Sequence, residues 1–192
     1  MQKQNLKQGD WLNPPLFQLD QGSNLIVGAV EGSDFWRNTS YGFVHNSGHC
    51  LLRNFPEGSA IELSWLLNYS EQFDQAGLIA WSDEENWIKA GVEVADGLPQ
   101  LGAVVTYGNS DWSVAPVEEW IGKEVHLRFS RFGDALTIRA KAEPDSWKLV
   151  RLAFLDPKKS WQVGLHLAAP TRSGLEVTFT GIKIGDADPS LH

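Results

Sequence analysis

The chain has 192 residues and a formal net charge of −8. This acidic balance repels phosphate groups, so it argues against nucleic acid and against anionic membranes as partners. Hydrophobic residues make up 42% of the chain and charged residues 21%, which is ordinary for a globular protein that buries a core.

Apolar and polar residues alternate with period two along most of the chain, which is typical of strands. In chain order, the predicted strands are 24–29, 34–37, 42–45, 50–55, 60–66, 77–81, 87–94, 103–107, 112–115, 123–131, 136–140, 147–154, 161–168 and 175–184. Residues 117–121 are the best candidate for a single helical turn. Gly, Asn, Asp and Pro turns separate the strands, no repeat of propeller length occurs, and no low-complexity linker divides the chain. We therefore predict one β-sandwich domain over 1–192, with its core at about 20–184 and polar tails at both ends.

The compartment is predicted from what the sequence lacks. Cys50 is the one cysteine, so no intrachain disulfide can form, and this favours a reducing compartment. The first residues contain no apolar segment of signal-peptide length, and no run approaches the 18 apolar residues of a membrane span. A cytoplasmic protein is expected.

The segment WIKAGVE (87–93) splits into two unlike faces when it is placed on a strand. Ile88, Ala90 and Val92 form an apolar face of the kind that a sheet buries. The other face presents Trp87, Lys89 and Glu93, with Gly91 leaving room between them. We expect Lys89 to keep Glu93 ionised, which suits a hydroxyl acceptor or a base.

A metal site in 34–50 would use His45, His49 and Cys50. The spacing of the two histidines suits a helix, but Gly48 and its polar neighbours disfavour one, and no second cysteine or carboxylate is near in sequence. We predict no metal, and instead loop histidines and a buried thiol. Gly-rich phosphate-binding motifs are also missing, so no cofactor is predicted.

Catalytic candidates are few and weak. A glycosidase needs two carboxylates across a cleft, about 5–10 Å apart. The E-x-D-x-x-E strand signature of sandwich glucanases is absent. Glu93 is the candidate base, Asp74 or Asp111 the partner carboxylate, and His49 a candidate acid.

Asp111 and Trp112 follow a glycine-containing turn in 106–113, and two interpretations stay open. Asp111 can close an Asx-turn beside a packing tryptophan. Alternatively, the loop supplies one carboxylate and one stacking ring to a groove.

Sugar is the ligand class that these residue types favour. A sugar ring has an apolar C–H face and a rim of hydroxyls, so its site needs flat aromatic rings and hydrogen-bonding side chains. Nine tryptophans exceed what one small core needs, and some are expected to lie exposed at a site. If the strands carrying these side chains lie side by side, one sheet face becomes an aromatic and charged groove.

Four blocks of sequence, in this order, carry a family resemblance: DFWRNTSYGF, YSEQFDQAGLIAW, WIKAGVE and SDWS. Together they resemble an uncharacterised family of concanavalin-like domains that includes the fungal regulation-of-enolase protein, over about 20–184. The resemblance implies an all-β fold, a concanavalin A-like lectin/glucanase jelly-roll sandwich of two antiparallel sheets. The family's characteristic positions correspond here to Trp36, Tyr41, His49, Asp74, Gln75, Trp87, Lys89, Glu93, Asp111 and Trp112. All of these except Asp74 are our ligand-binding candidates.

The leading hypothesis is a non-catalytic protein that binds a carbohydrate or small polyol, with a regulatory role in sugar metabolism. Trp87 and Trp112 would stack on the ligand, while Lys89, Glu93 and Asp111 would hold its hydroxyls. Two alternatives remain. One is a hydrolase or lyase that acts on a glycan or sugar metabolite through carboxylates of the concave face, and the other is an intracellular module that binds a protein partner.

Overall fold

The structure, a computed structural model, describes residues 1–188, 190 and 191. In this part of the chain the period-two alternation produces strands throughout, with one short 3-10 helix at Glu118–Trp120. The strands are β1 (Gln2–Lys3), β2 (Asp10–Leu12), β3 (Phe17–Gln21), β4 (Asn24–Gly28), β5 (Phe35–Arg37), β6 (Val44–Asn46), β7 (His49–Asn54), β8 (Ser59–Leu66), β9 (Gln75–Asp83), β10 (Asn86–Ala95), β11 (Leu98–Tyr107), β12 (Asn109–Pro116), β13 (Glu124–Phe132), β14 (Ala135–Ala142), β15 (Lys148–Phe154), β16 (Gln162–Ala168) and β17 (Glu176–Asp186).

Two antiparallel sheets form a sandwich, which confirms the predicted fold. The front sheet has the strand order β12-β11-β10-β9-β16-β7-β2. The back sheet has the order β15-β14-β13-β8-β17-β4-β3, with β1 added beside β17. A separate two-stranded hairpin, β5–β6, lies outside both sheets.

The main core lies between the sheets and takes one face of each strand. Ile88, Ala90 and Val92 are at most 2% exposed in this core, as the alternation in WIKAGVE predicts. Trp65 and Trp161 are also buried there. Full burial of one large aliphatic side chain stabilises a fold by about 1.5–3 kcal/mol, so this face holds β10 firmly in the sandwich.

A second, smaller apolar cluster lies on the outer face of the front sheet, beneath the β5–β6 hairpin. It consists of Phe35, Cys50, Leu52, Ile79, Trp81, Trp87 and Val104. The Phe35 ring lies 5.7 Å, centroid to centroid, from the rings of both Trp81 and Trp87. Gly48 makes room for Phe35, because a Cβ at position 48 would lie 2.3 Å from that ring. The hairpin is therefore packed onto the sheet by an aromatic anchor.

Two local features bear on the predicted elements. The helical turn predicted at 117–121 is confirmed as the 3-10 helix Glu118–Trp120, with Trp120 buried. Strands β1, β2 and β3 lie in the first 21 residues, most of which were expected to form a polar tail, and all three pair with strands of the sandwich. No helix in the described residues has the length and apolarity needed to cross a membrane.

Candidate functional site

A pocket of about 310 Å³ opens on the outer face of the front sheet, beside the aromatic cluster. The hairpin, with Asp34 just before it, forms one wall, and Phe73, Pro170 and Thr171 contribute another. Its floor consists of side chains from β9, β10 and β11, namely Gln75, Lys89, Glu93 and Val104, and Trp112 of β12 belongs to its aromatic wall. The site therefore draws on segments that are far apart in the sequence.

The strand register explains the shape of the floor. Gly77, Gly91 and Gly102 face one another across β9, β10 and β11. A Cβ at Gly91 would lie 2.0 Å from the backbone oxygen of Ala76, so no larger residue fits without a backbone shift. This row of glycines makes a trough in the sheet surface between the Lys89 and Glu93 positions of β10.

Lys89 is buried at 5% exposure and is held by polar neighbours. Its Nζ donates a hydrogen bond of 2.5 Å to Oε1 of Gln75 and lies 3.8 Å from Oδ1 of Asp34. Gln75 is oriented in turn, because its Nε2 donates to the backbone oxygen of Phe73 at 3.2 Å. The ammonium of Lys89 is thus paired with Asp34 and Gln75 at the edge of the pocket.

Glu93 is half-buried and has no hydrogen-bond or ion-pair partner among the described residues. Burial raises the pKa of Glu93 to about 7; the charge of Lys89 lowers it less, and that of Asp34 adds to the rise. The expectation that Lys89 keeps Glu93 ionised is wrong because burial outweighs the ammonium charge. Lys89 reaches Asp34 and Gln75, the cross-strand neighbour of Glu93, and makes no ion pair with Glu93 itself.

His166 on β16 is buried beside the glycine trough, at 2% exposure. Its ring hydrogen-bonds the carbonyl of Ala90, which can only accept, while Nδ1 has no partner. Burial and the charge of Lys89 lower the pKa of His166 to about 3. The imidazole is therefore neutral, with Nδ1 as a free acceptor.

The aromatic wall is built from edge-to-face contacts. The ring of Trp36 lies 5.6 Å from Tyr41 and 6.4 Å from Trp112, both nearly perpendicular to it. Tyr41 stacks on Phe43 at 5.3 Å, and Phe43 contacts His45 at 4.6 Å. Tyr41 is 58% exposed and Trp112 37% exposed, so both present ring surface to solvent at the mouth of the pocket.

Contacts with the β11–β12 turn hold the hairpin in place over the sheet. The backbone N–H of Arg37 donates to Oγ of Ser110 at 3.0 Å, and its guanidinium donates to the carbonyl of Gly108 and to Glu85. The wall carrying Trp36 is therefore tied to the strand that carries Trp112.

Six of the nine ligand-binding candidates line this one pocket. They are Trp36, Tyr41, Gln75, Lys89, Glu93 and Trp112. They come from four segments that the sequence analysis treated separately, and the front sheet and its hairpin bring them together.

Trp87 and Asp111 lie outside the pocket, in contrast to their predicted roles. Trp87 is fully buried under Phe35, so it cannot stack on a ligand there. Asp111 points to the opposite face of β12 from Trp112, and its Oδ1 accepts a 3.0 Å hydrogen bond from Arg151 of the back sheet. Alternation along the edge strand separates it from the site.

His49 and Asp74 are also turned away from the pocket, and both have structural partners. His49 accepts from the N–H of Val30 at 3.0 Å and donates from Nδ1 to the carbonyl of Asn13 at 2.8 Å. Desolvation lowers the pKa of His49, so the imidazole is neutral and connects two backbone segments instead of acting as an acid. Asp74 is fully buried and accepts hydrogen bonds from the guanidinium of Arg172. Of the four catalytic candidates, only Glu93 reaches the pocket.

The metal interpretation receives no geometric support. Among the described residues, no group of three His, Cys, Asp or Glu side chains could hold an ion. His45 lies in the pocket wall, His49 uses both ring nitrogens, and burial raises the pKa of the Cys50 thiol well above its ordinary value.

Two polar residues of the site escaped the sequence analysis. Asp34 opens the DFWRNTSYGF block, but the sequence drew attention to the aromatic rings, the histidines and the cysteine of 34–50, and gave this carboxylate no role. His166 lies in the middle of an apolar strand, where a single histidine gives no signal of its own. Both become visible only when the register places β16 beside β9 and the hairpin over β10.

Comparison with known proteins gives the family. Residues 11–187 match the family described as "Protein of unknown function (DUF1349)". The chain belongs to this family. It is 37% identical, over 177 residues, to "Regulation of enolase protein 1" of Saccharomyces cerevisiae, which covers 91% of this chain and 88% of the yeast protein.

Solved structures agree on the fold. A functionally unknown protein from Saccharomyces cerevisiae superposes with a TM-score of 0.88 at 33% identity, covering 95% of this chain and 98% of that one. A xylan beta-1,4-xylosidase from Bacillus halodurans has a TM-score of 0.66 at 18% identity, covering 85% of this chain and 33% of the xylosidase. A GH43 protein from Bacillus licheniformis has a TM-score of 0.71 at 12% identity, covering 96% of this chain and 39% of that protein. The last two share the β-sandwich over about a third of their length.

Proposed function

We propose that this protein binds a carbohydrate or small polyol in the pocket of the front sheet, without acting on it chemically, in the cytoplasm. The observation that carries the proposal is the pairing of aromatic walls with a polar floor in one pocket of about 310 Å³. Trp36, Tyr41 and Trp112 offer rings for the C–H face of a sugar. Lys89 and Glu93 offer a donor and an acceptor for its hydroxyls.

The relatives are consistent with this class of ligand. The xylosidase that shares the sandwich is named for a carbohydrate substrate, although at 18% identity the likeness concerns the fold. The name of the yeast relative fits a regulatory role in sugar metabolism.

Tryptophan fluorescence tests the proposal against a panel of neutral and charged sugars and polyols. Trp112 and Trp147 are a matched pair, since they are 37% and 36% exposed and only Trp112 lines the pocket. We expect Trp112→Ala to lower the affinity for a bound sugar, fitted from the titration, at least tenfold. Trp147→Ala should leave that affinity unchanged. A panel in which no sugar binds the unmodified protein would refute the proposal.

A second candidate function rests on the pair of carboxylates in the pocket. Asp34 and Glu93 both line it, and the pKa of Glu93, raised to about 7, keeps a proton available for a leaving group near neutrality. A hydrolase or lyase would convert a bound glycan and lose turnover in Glu93→Gln. Binding without turnover across the panel supports the non-catalytic function instead.

A further inference from the structure

We propose that the ligand of this pocket carries a primary ammonium group, as in an aminated sugar or aminated polyol, and that this group is seated in the glycine trough between Glu93 and His166. The inference rests on the proposed function and names the class of ligand within it. It is argued from the charges, the unpaired acceptors and the space at the floor of the site.

When Glu93 is ionised, the charges of the pocket do not balance without a cation. Two carboxylates, Asp34 and Glu93, line it together with one ammonium, that of Lys89. Lys89 lies 3.8 Å from Asp34, and the remaining carboxylate, Glu93, has no partner among the described residues. One further positive charge near Glu93 would give two carboxylates and two ammonium groups, so a singly charged cationic ligand restores neutrality.

The unpaired polar atoms at this level of the floor are acceptors. The Glu93 carboxylate is unpaired, and Nδ1 of His166 is buried without a partner. Gln100 uses its Nε2 on the carbonyl of Ala95, and its Oε1 has no partner in the described part of the chain. An ammonium carries three donors and no acceptor, so it complements such a site, whereas a hydroxyl brings one donor and two unneeded acceptor lone pairs.

The space at this position suits a small head group. A void of about 20 Å³ lies at the trough, bordered by Lys89, Gly91, Glu93, Gln100 and His166. That volume accommodates one group the size of a water molecule, which is also about the size of a primary ammonium. The void exists because Gly91 and its neighbours lack side chains, and it shares Lys89 and Glu93 with the larger pocket that would hold the rest of the ligand.

The aromatic wall adds to the attraction. Trp36, Tyr41 and Trp112 surround the mouth of the same pocket. The negative potential of an aromatic face favours a cation within about 6 Å of the ring. Of these three rings, Trp112 also borders the void at the trough and is the one placed to add to the attraction of the ammonium.

Two matched ligand pairs test the inference by isothermal titration calorimetry at pH 8. Each pair differs in one amino group: 1-amino-1-deoxysorbitol against sorbitol, and glucosamine against glucose. We expect the amine to bind at least tenfold more tightly than its neutral counterpart in at least one pair. Equal or tighter binding of the neutral member in both pairs, or no binding by any of the four, overturns the inference. A response to some other neutral sugar would then leave the proposed function standing.

A matched variant pair locates the effect. Glu93→Gln removes one negative charge and keeps the shape, and we expect it to bring the ratio of amine to neutral affinity close to one. Glu176→Gln makes the same change on an exposed residue of the back sheet and should leave that ratio as it is. An unchanged ratio in Glu93→Gln contradicts the placement of the ammonium at this carboxylate.

The pH dependence provides an independent readout. Because the pKa of Glu93 is raised to about 7, its negative charge forms between pH 6 and pH 8, and preference for 1-amino-1-deoxysorbitol, whose alkylammonium stays charged there, should rise over that interval. Lys89 on the same strand, Asp34 and His45 across the pocket, His166 from β16 and the core Tyr69 are the other titratable groups facing Glu93. The rise should persist in His45→Gln and disappear in Glu93→Gln. The reverse pattern overturns the assignment.

Discussion

The outer face of the front sheet has two halves, built from the same strands, that differ in burial and in chemical character. In one half, Trp81 and Trp87 lie beneath Phe35 and are 7% and 0% exposed. In the other half, Lys89 and Glu93 border an open trough. Trp87 of the first half and Lys89 and Glu93 of the second lie on one face of β10, so alternation alone does not distinguish core from site. The hairpin makes the difference, because it covers one half and leaves its edge as the wall of the other.

The two tryptophans that were expected to stack on a ligand lie in different halves of this face. Trp87 and Trp112 were predicted to share one role, stacking on a ligand. The first is a buried anchor and the second a half-open wall. Removing each in turn therefore probes the two halves separately.

The largest expected effect is on stability, from Trp87→Ala. Truncating this fully buried ring leaves a cavity under Phe35, so we expect the free energy of unfolding to fall by about 3–5 kcal/mol. Trp112→Ala, at 37% exposure, should cost less than about 1 kcal/mol. Urea denaturation followed by circular dichroism measures both. Similar losses in the two variants would mean that the two halves are not energetically distinct.

A smaller effect, of opposite sign, is expected for Glu93→Gln. The folded pKa of Glu93, about 7, exceeds its ordinary 4.5, so folding favours the protonated form. The associated stability is fully present below pH 4.5 and is lost as pH rises through 7. The variant should therefore match the unmodified protein near pH 4. At pH 8 it should be more stable by about 1–2 kcal/mol, allowing for the partial exposure of the side chain.

Denaturation curves at the two pH values check this prediction. A variant that is less stable than the unmodified protein at pH 8 would show that Glu93 has a stabilising partner when ionised. Glu176→Gln serves as the control and should shift neither curve, since its side chain is exposed on the back sheet.

The smallest effect is expected for Asp111→Asn. Asp111 pairs with Arg151 at the surface, and such exposed pairs contribute little to stability. The free energy of unfolding should change by less than about 0.5 kcal/mol, and sugar affinity should be unchanged. A tenfold loss of affinity in calorimetry would place Asp111 in the site after all and extend the open half to the other face of β12.

The local alternation of apolar and polar residues predicted the fold class and the directions of several side chains. Period-two alternation was sufficient for the β-sandwich, for the burial of Ile88, Ala90 and Val92, and for the outward direction of Lys89 and Glu93. These properties depend on neighbours along one strand, where side chains must alternate between faces. Six of the nine ligand-binding candidates also lie in the pocket, and these came from residue type and from the family resemblance.

Tertiary structure alone decided which outward residues are covered and which are open. Trp87 and Lys89 share one strand face, and only the hairpin carrying Phe35, more than fifty positions earlier, makes one core and the other site. The same contact brings Asp34 to Lys89 and leaves Glu93 unpaired. Such pairings join residues that are far apart in sequence and close in space, and packing, rather than local periodicity, selects them.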